Sequence, residues 1–156
     1  MIRRLCFAAA ACAALACSAV RAQDFVPQTL KYFPGKWVIK TADGTEVGSV
    51  DWKLVAGGKA IAGEGVLNTG GKTFVLAGWD AKEKAWIHNW FEESGAFGHI
   101  KVTQFQDNTY LGTLYFADAN GEGGSSEWKN RLIDKDHFEV TEFLKGEKVV
   151  LHFHRK

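Results

Sequence analysis

The sequence predicts an all-β domain, a single antiparallel meander barrel of about eight to ten strands preceded by a short helical turn. Three observations carry this. From Gly35 onward, apolar and β-branched runs alternate with turn-forming clusters at intervals of about 8–12 residues, the pattern of many short strands. The connectors, such as Ala42-Asp43-Gly44, Asn68-Thr69-Gly70-Gly71 and Gln106-Asp107-Asn108, are too short for a parallel crossover, so neighbouring strands run antiparallel. Six glycines (Gly48, Gly63, Gly65, Gly78, Gly98 and Gly112) fall inside the expected strands, where glycine weakens a strand unless it serves a bend or bulge. A closed barrel needs such places, whereas a flatter sandwich, the alternative architecture, needs fewer. Closure also removes the two edges that a long meander would leave exposed.

The chain opens with a different kind of segment. Arg3 and Arg4 form a short positive region, residues 5–20 carry no charge and are rich in alanine, and Val20-Arg21-Ala22 places small residues three and one positions before a cut after Ala22. This is the pattern of a cleaved export signal, and the apolar stretch is short for a membrane span. Residues 1–22 are therefore expected to be removed, leaving one domain over 23–156 in a secreted, periplasmic location. Leu15 stands one place off the position that a lipid-modified Cys17 would require. All three cysteines (Cys6, Cys12 and Cys17) lie in the removed segment, so the mature chain is expected to have no disulfide, no thiol nucleophile and no thiolate metal ligand. About 134 residues remain, enough for a single domain with its own core.

Charge excludes two classes of partner. The whole chain has 19 basic and 18 acidic residues; without Arg3, Arg4 and Arg21 the balance is 16 against 18. A nucleic-acid surface or an anionic-membrane binder would need a basic stripe, and none is present. Aromatic content is high, with six Trp, three Tyr and ten of the eleven Phe in the mature part. Such rings either fill a small core or line a ligand pocket.

Pro27 and Pro34 bracket residues 26–33, which are expected to form one or two helical turns. The strands are expected at 35–41, 46–55, 60–67, 73–80, 85–91, 96–105, 109–117, 125–133, 137–144 and 149–154. Alternation assigns faces. Val50, Trp52 and Leu54 share one face of the second strand; Ile100, Val102 and Gln104 share one of the sixth. Ser126, Trp128, Asn130 and Leu132 share one of the eighth, and Phe138, Val140, Glu142 and Leu144 one of the ninth. In the fifth strand Trp86, His88 and Trp90 share a face, but the opposite one (Ala85, Ile87, Asn89, Phe91) is also fairly apolar, so its direction stays open.

Gly35-Lys36-Trp37 opening the first strand, Trp52-Lys53-Leu54 followed by Gly57-Gly58-Lys59, and Gly78-Trp79-Asp80 followed by Trp86, Trp90-Phe91 and Ser94-Gly95 form an ordered series. It resembles a bacterial family of secreted, lipocalin-like (calycin) domains of uncharacterised function. The resemblance implies a barrel whose interior holds a small apolar molecule, and it brings no catalytic residues with it. The lipocalin disulfides and long mouth loops are missing.

The candidate ligand-binding residues are Trp52, Trp86, His88, Trp90, Trp128, Asn130 and Glu142. A His between two indoles in a low-dielectric interior titrates near neutrality or hydrogen-bonds a ligand; otherwise it is a core or surface residue with a satisfied ring nitrogen. Asn130 and Glu142 stand among apolar neighbours on presumed inner faces, where a carboxylate needs a partner or an upward shift of its pKa. Three functions follow: a binding barrel for a small apolar or amphipathic molecule; a lyase or isomerase using His88 with Glu142 or Asn130 as acid and base; or a structural protein with a filled barrel. No cofactor or metal is expected. His152-x-His154 has a chelating spacing but no identifiable third ligand. The segment 118–123 echoes a calcium loop without the acidic twelfth position, which is Lys129. Gly71-Lys72-Thr73 lacks the first glycine and the following helix of a phosphate loop.

Overall fold

The computed structural model describes residues 20–144 and 146–156, with side chains from Asp24 onward. Residues 1–19, which hold most of the expected export signal, lie outside the described residues.

Ten strands follow one another as a meander: β2 (Gly35–Thr41), β3 (Glu46–Val55), β4 (Ala60–Leu67), β5 (Lys72–Asp80), β6 (Ala85–Glu92), β7 (Phe97–Gln106), β8 (Thr109–Ala117), β9 (Gly123–Asp134), β10 (His137–Leu144) and β11 (Glu147–Arg155). Every pairing is antiparallel, and β11 returns to pair with β2, joining residues 151–155 to residues 37–41 and closing the barrel. A two-residue strand, β1 (Val20–Arg21), adds to the far end of β7, and a 3-10 turn (Ala22–Phe25) leads into the helix α1 (Val26–Tyr32). The expected all-β meander barrel with a short preceding helix is the observed fold. Ten strands agree with the turn spacing, and their limits differ from the expected ones by at most two residues at any end. The open alternative of a sandwich falls, because the pairing order is continuous around the circuit.

The helix is a plug. Pro27 sits in its first turn, where a missing N–H leaves no helical bond unmade. Phe25, Thr29 and Phe33 are buried beneath the barrel end formed by the start of β2 and the start of β8. Phe25 meets Tyr110 edge-on at 5.2 Å, and Phe33 meets Phe138 edge-on at 5.2 Å. The Thr29 hydroxyl donates to the Phe25 carbonyl (3.0 Å) and lies 3.2 Å from the Tyr110 hydroxyl. Arg155, at the end of β11, clamps this floor: its guanidinium donates to the carbonyls of Pro34 (2.9 Å) and Tyr32 (2.7 Å) and lies 4.1 Å from the Trp37 ring centroid.

The in-strand glycines do two different things. Gly48 and Gly112 lie at register shifts, one beside the break after Ile39 and the other opposite Val102, as bend sites should. Gly63 and Gly98 instead seat tryptophans. A methyl at Gly98 would collide with the outer ring of Trp90, and one at Gly63 would meet the Trp52 ring and the Asp51 carbonyl oxygen at 2.5 Å. Gly63→Ala should therefore destabilise the protein by about 1–3 kcal/mol, the usual range for overpacking. A denaturant midpoint indistinguishable from wild type would show that the seat is not tight.

Two face assignments need correction. Leu54 does not join Val50 and Trp52 inside; it is 48% exposed, because it falls near the end of β3, beyond the core level. Gln104 does not follow Ile100 and Val102 inward: the shift between Val102 and Gln104 reverses the alternation, so Gln104 is exposed and Phe105 packs against the core instead.

Candidate binding site

The barrel is not packed solid. A cavity of about 290 Å³ runs from Thr29 and Phe33 on the helix floor to Leu67, Thr73, Glu92 and Leu144 near the opposite rim. All seven of the residues singled out in the sequence line it: Trp52, Trp86, His88, Trp90, Trp128, Asn130 and Glu142. The face of β6 is thereby decided. Trp86, His88 and Trp90 point inward, while Phe91 on the other face is 52% exposed.

The polar atoms in this apolar space are short of partners. Asn130 is 4% exposed, and its Oδ1 has no hydrogen-bond partner; the same holds for Nε1 of buried Trp52. Asn130 lies opposite Tyr110 on β8 and Val140 on β10. Glu142 lies opposite Trp128, two residues before Asn130 on β9, so the amide and the carboxyl are diagonal neighbours on one wall. No hydrogen bond or ion pair holds Glu142, and desolvation raises its pKa to about 7. Burial drives His88 the other way, to about 4, leaving a neutral imidazole whose one ring contact is Trp90, edge-on at 6.4 Å. Desolvation also lifts Tyr110 to about 12, so its phenol stays neutral.

His88 and the Glu142–Asn130 pair stand on different walls of the one cavity. β6 stands four strands from β10 around the ten-stranded wall, and no hydrogen bond links His88 to either residue. Thr29, Thr73, Glu92 and Tyr110 are polar lining groups that the sequence did not single out. Glu92 continues the Trp86, His88, Trp90 alternation by one more step, so the signal for it was present; Tyr110 carries no comparable mark. On the outside of the barrel, His152 and His154 are joined by His137 from β10. His137 Nε2 is 3.2 Å from His152 Nδ1, and its ring stacks on His154 at 4.3 Å. Among the described residues no group of three His, Cys, Asp or Glu is arranged to hold a metal ion.

A buried amide oxygen without a partner weakens the fold. Asn130→Leu should raise the unfolding free energy by about 1–2 kcal/mol, because it removes the cost of the unsatisfied group. A loss of stability in chemical denaturation would show that Asn130 is satisfied in solution.

Fold and cavity together define a closed antiparallel β-barrel with an interior site. No protein-family model matches the chain, and no curated protein matches it. Among solved structures, a redesigned beta barrel is 12% identical with a TM-score of 0.38, covering 81% of this chain and 94% of that one. A de novo designed fluorescence-activating beta barrel is 17% identical with a TM-score of 0.39, covering 82% and 97%.

Proposed function

We propose that this protein is a secreted, periplasmic binding barrel, of the lipocalin-like kind its tryptophan and glycine series resembles, that takes up one small, largely apolar molecule in its interior. The single observation that carries this reading is the cavity of about 290 Å³ with a buried amide oxygen and a buried indole N–H left unpartnered inside it. A barrel built only to be filled would pack side chains into that space, since interiors close to near-crystalline density. An engineered apolar cavity of about 150 Å³ admits a benzene, so this one has room for about two fused rings. The indoles supply flat apolar walls, and the few polar atoms would fix orientation.

The test is titration of the protein without its first 22 residues with the neutral two-ring probe 1-naphthalenemethanol, following tryptophan emission. Saturable 1:1 binding is expected, and it should be lost in Ala77→Trp, which fills the lumen beside His88. A linear, non-saturating response, or equal binding by the filled variant, would overturn the reading.

A further inference from the structure

The charge carried by the cavity wall selects among small apolar molecules, and this inference rests on the interior-binding reading above. Among the described residues lining the cavity there is no lysine or arginine. The acidic groups there are Glu142, one inward-facing step along β10 from Leu144 near the rim, and Glu92, near the rim and held by the Ser94 hydroxyl at 3.2 Å. The one basic group, His88, is kept neutral by burial. Among the described residues Glu142 has no cation and no hydrogen-bond donor against it. Its neighbours on the same faces of the flanking strands are Ser126, Trp128 and Asn130 on β9 and Glu147, Val149 and Leu151 on β11; of these only Glu147, exposed at the start of β11, is titratable. A fatty carboxylate would enter a space with no positive partner and one carboxyl already inside. A protonated amine would find a desolvated carboxylate and a neighbouring amide oxygen without a donor, both on one wall, with indole faces around them that attract cations.

We infer that the barrel's ligand is a monocationic amine with a compact apolar or aromatic body, with Glu142 as its counter-ion and Asn130 Oδ1 accepting a second N–H. The tryptophans enclose the body, and the ammonium supplies the charge that the wall lacks. Glu142 accepts the cation in its ionised form, so affinity for amines falls as the solution is acidified and the carboxyl takes up a proton. The other titratable groups facing the lumen are His88, Glu92 and Tyr110. His88 gains charge only on further acidification, which would repel the amine further.

The experiment compares three probes with one body: 1-naphthylmethylamine, 1-naphthalenemethanol and 1-naphthoate, titrated at about pH 8 into wild type and Glu142→Gln. In wild type the amine should bind at least about tenfold tighter than the alcohol, and the carboxylate at least about tenfold weaker. In Glu142→Gln, whose circular dichroism should match wild type, the amine's advantage over the alcohol should disappear. Lowering the pH to about 5.5 should erase the same advantage in wild type. Equal binding of all three probes, a preference for the carboxylate, or an amine preference that survives Glu142→Gln would overturn the inference while leaving the container reading in place. Binding of none of them would overturn both.

Discussion

Trp37→Ala should cost about 3–5 kcal/mol of unfolding free energy and lower the melting midpoint by roughly 10–20 °C. Trp37 is the largest side chain with no accessible surface. Its ring packs edge-on against Phe138 at 4.9 Å and lies beside Trp52 at 6.3 Å and Tyr32 at 5.8 Å. The indole N–H donates to the Phe33 carbonyl at 2.8 Å, tying the end of the helix to the first barrel strand, and the Arg155 guanidinium covers the ring from the last strand. Alanine there leaves a void, an unpaired carbonyl and an arginine without its platform. Loss of this size is a large share of the total stability of a domain this small. Phe91→Ala on the outer wall is the control: half-exposed, it should cost less than about 1 kcal/mol. Similar melting points for the two variants would remove Trp37 from its place as the keystone of the floor.

The second large effect is a pH dependence that wild type conceals. A carboxyl whose pKa is raised in the folded state holds its proton while its unfolded counterpart releases one. Glu142 therefore lowers stability as pH rises from 4.5 to about 7, with nothing lost below that window and the full loss above it. His88 has the opposite sign. Its folded pKa is depressed, so it lowers stability as pH falls from 6.5 to about 4. Each displacement corresponds to a ceiling of about 3 kcal/mol, reduced by whatever cavity water reaches either group. Between about pH 4.5 and 6.5 the two slopes cancel. Single variants should unmask them. Relative to wild type, Glu142→Gln should gain stability steadily from pH 4.5 to 7, and His88→Gln should gain it steadily as pH drops from 6.5 to 4. Unfolding free energies measured across pH 4–8 for the three proteins check this. Differences that stay flat with pH would mean that both side chains are solvated.

Much of the fold was legible because a barrel of hairpins is built from local signals. Each strand announces itself by alternation and each turn by its Gly, Asn or Asp, and among the ten barrel strands every pairing except the seam joins neighbours in the chain. The site was legible for the same reason. Once β6, β9 and β10 have a core face, His88, Asn130 and Glu142 must point into the interior. What could not be read has longer reach. A single extra residue at the shift after Val102 reverses the face of everything beyond it, exchanging Gln104 for Phe105. The role of Gly63 as a seat for Trp52 depends on which residue lies across the strand pair, not on strand periodicity. His137 joins His152 and His154 through a register that only the folded β10–β11 hairpin defines. The helix floor rests on Thr29 meeting Tyr110, a contact between residues with no shared local pattern.

The seam has a consequence for how the molecule comes into being. Nine of the ten joints in the wall zip between successive strands, and each closes only a short loop. The tenth waits for residues 151–155 to reach residues 37–41, and Arg155 then latches the floor through Pro34 and Tyr32. Without that joint the wall would be an open curl with two bare strand edges, which invite edge pairing with neighbouring molecules. Removing residues 151–156 would leave the wall open, so the lumen depends on a segment that begins only nine residues beyond Glu142.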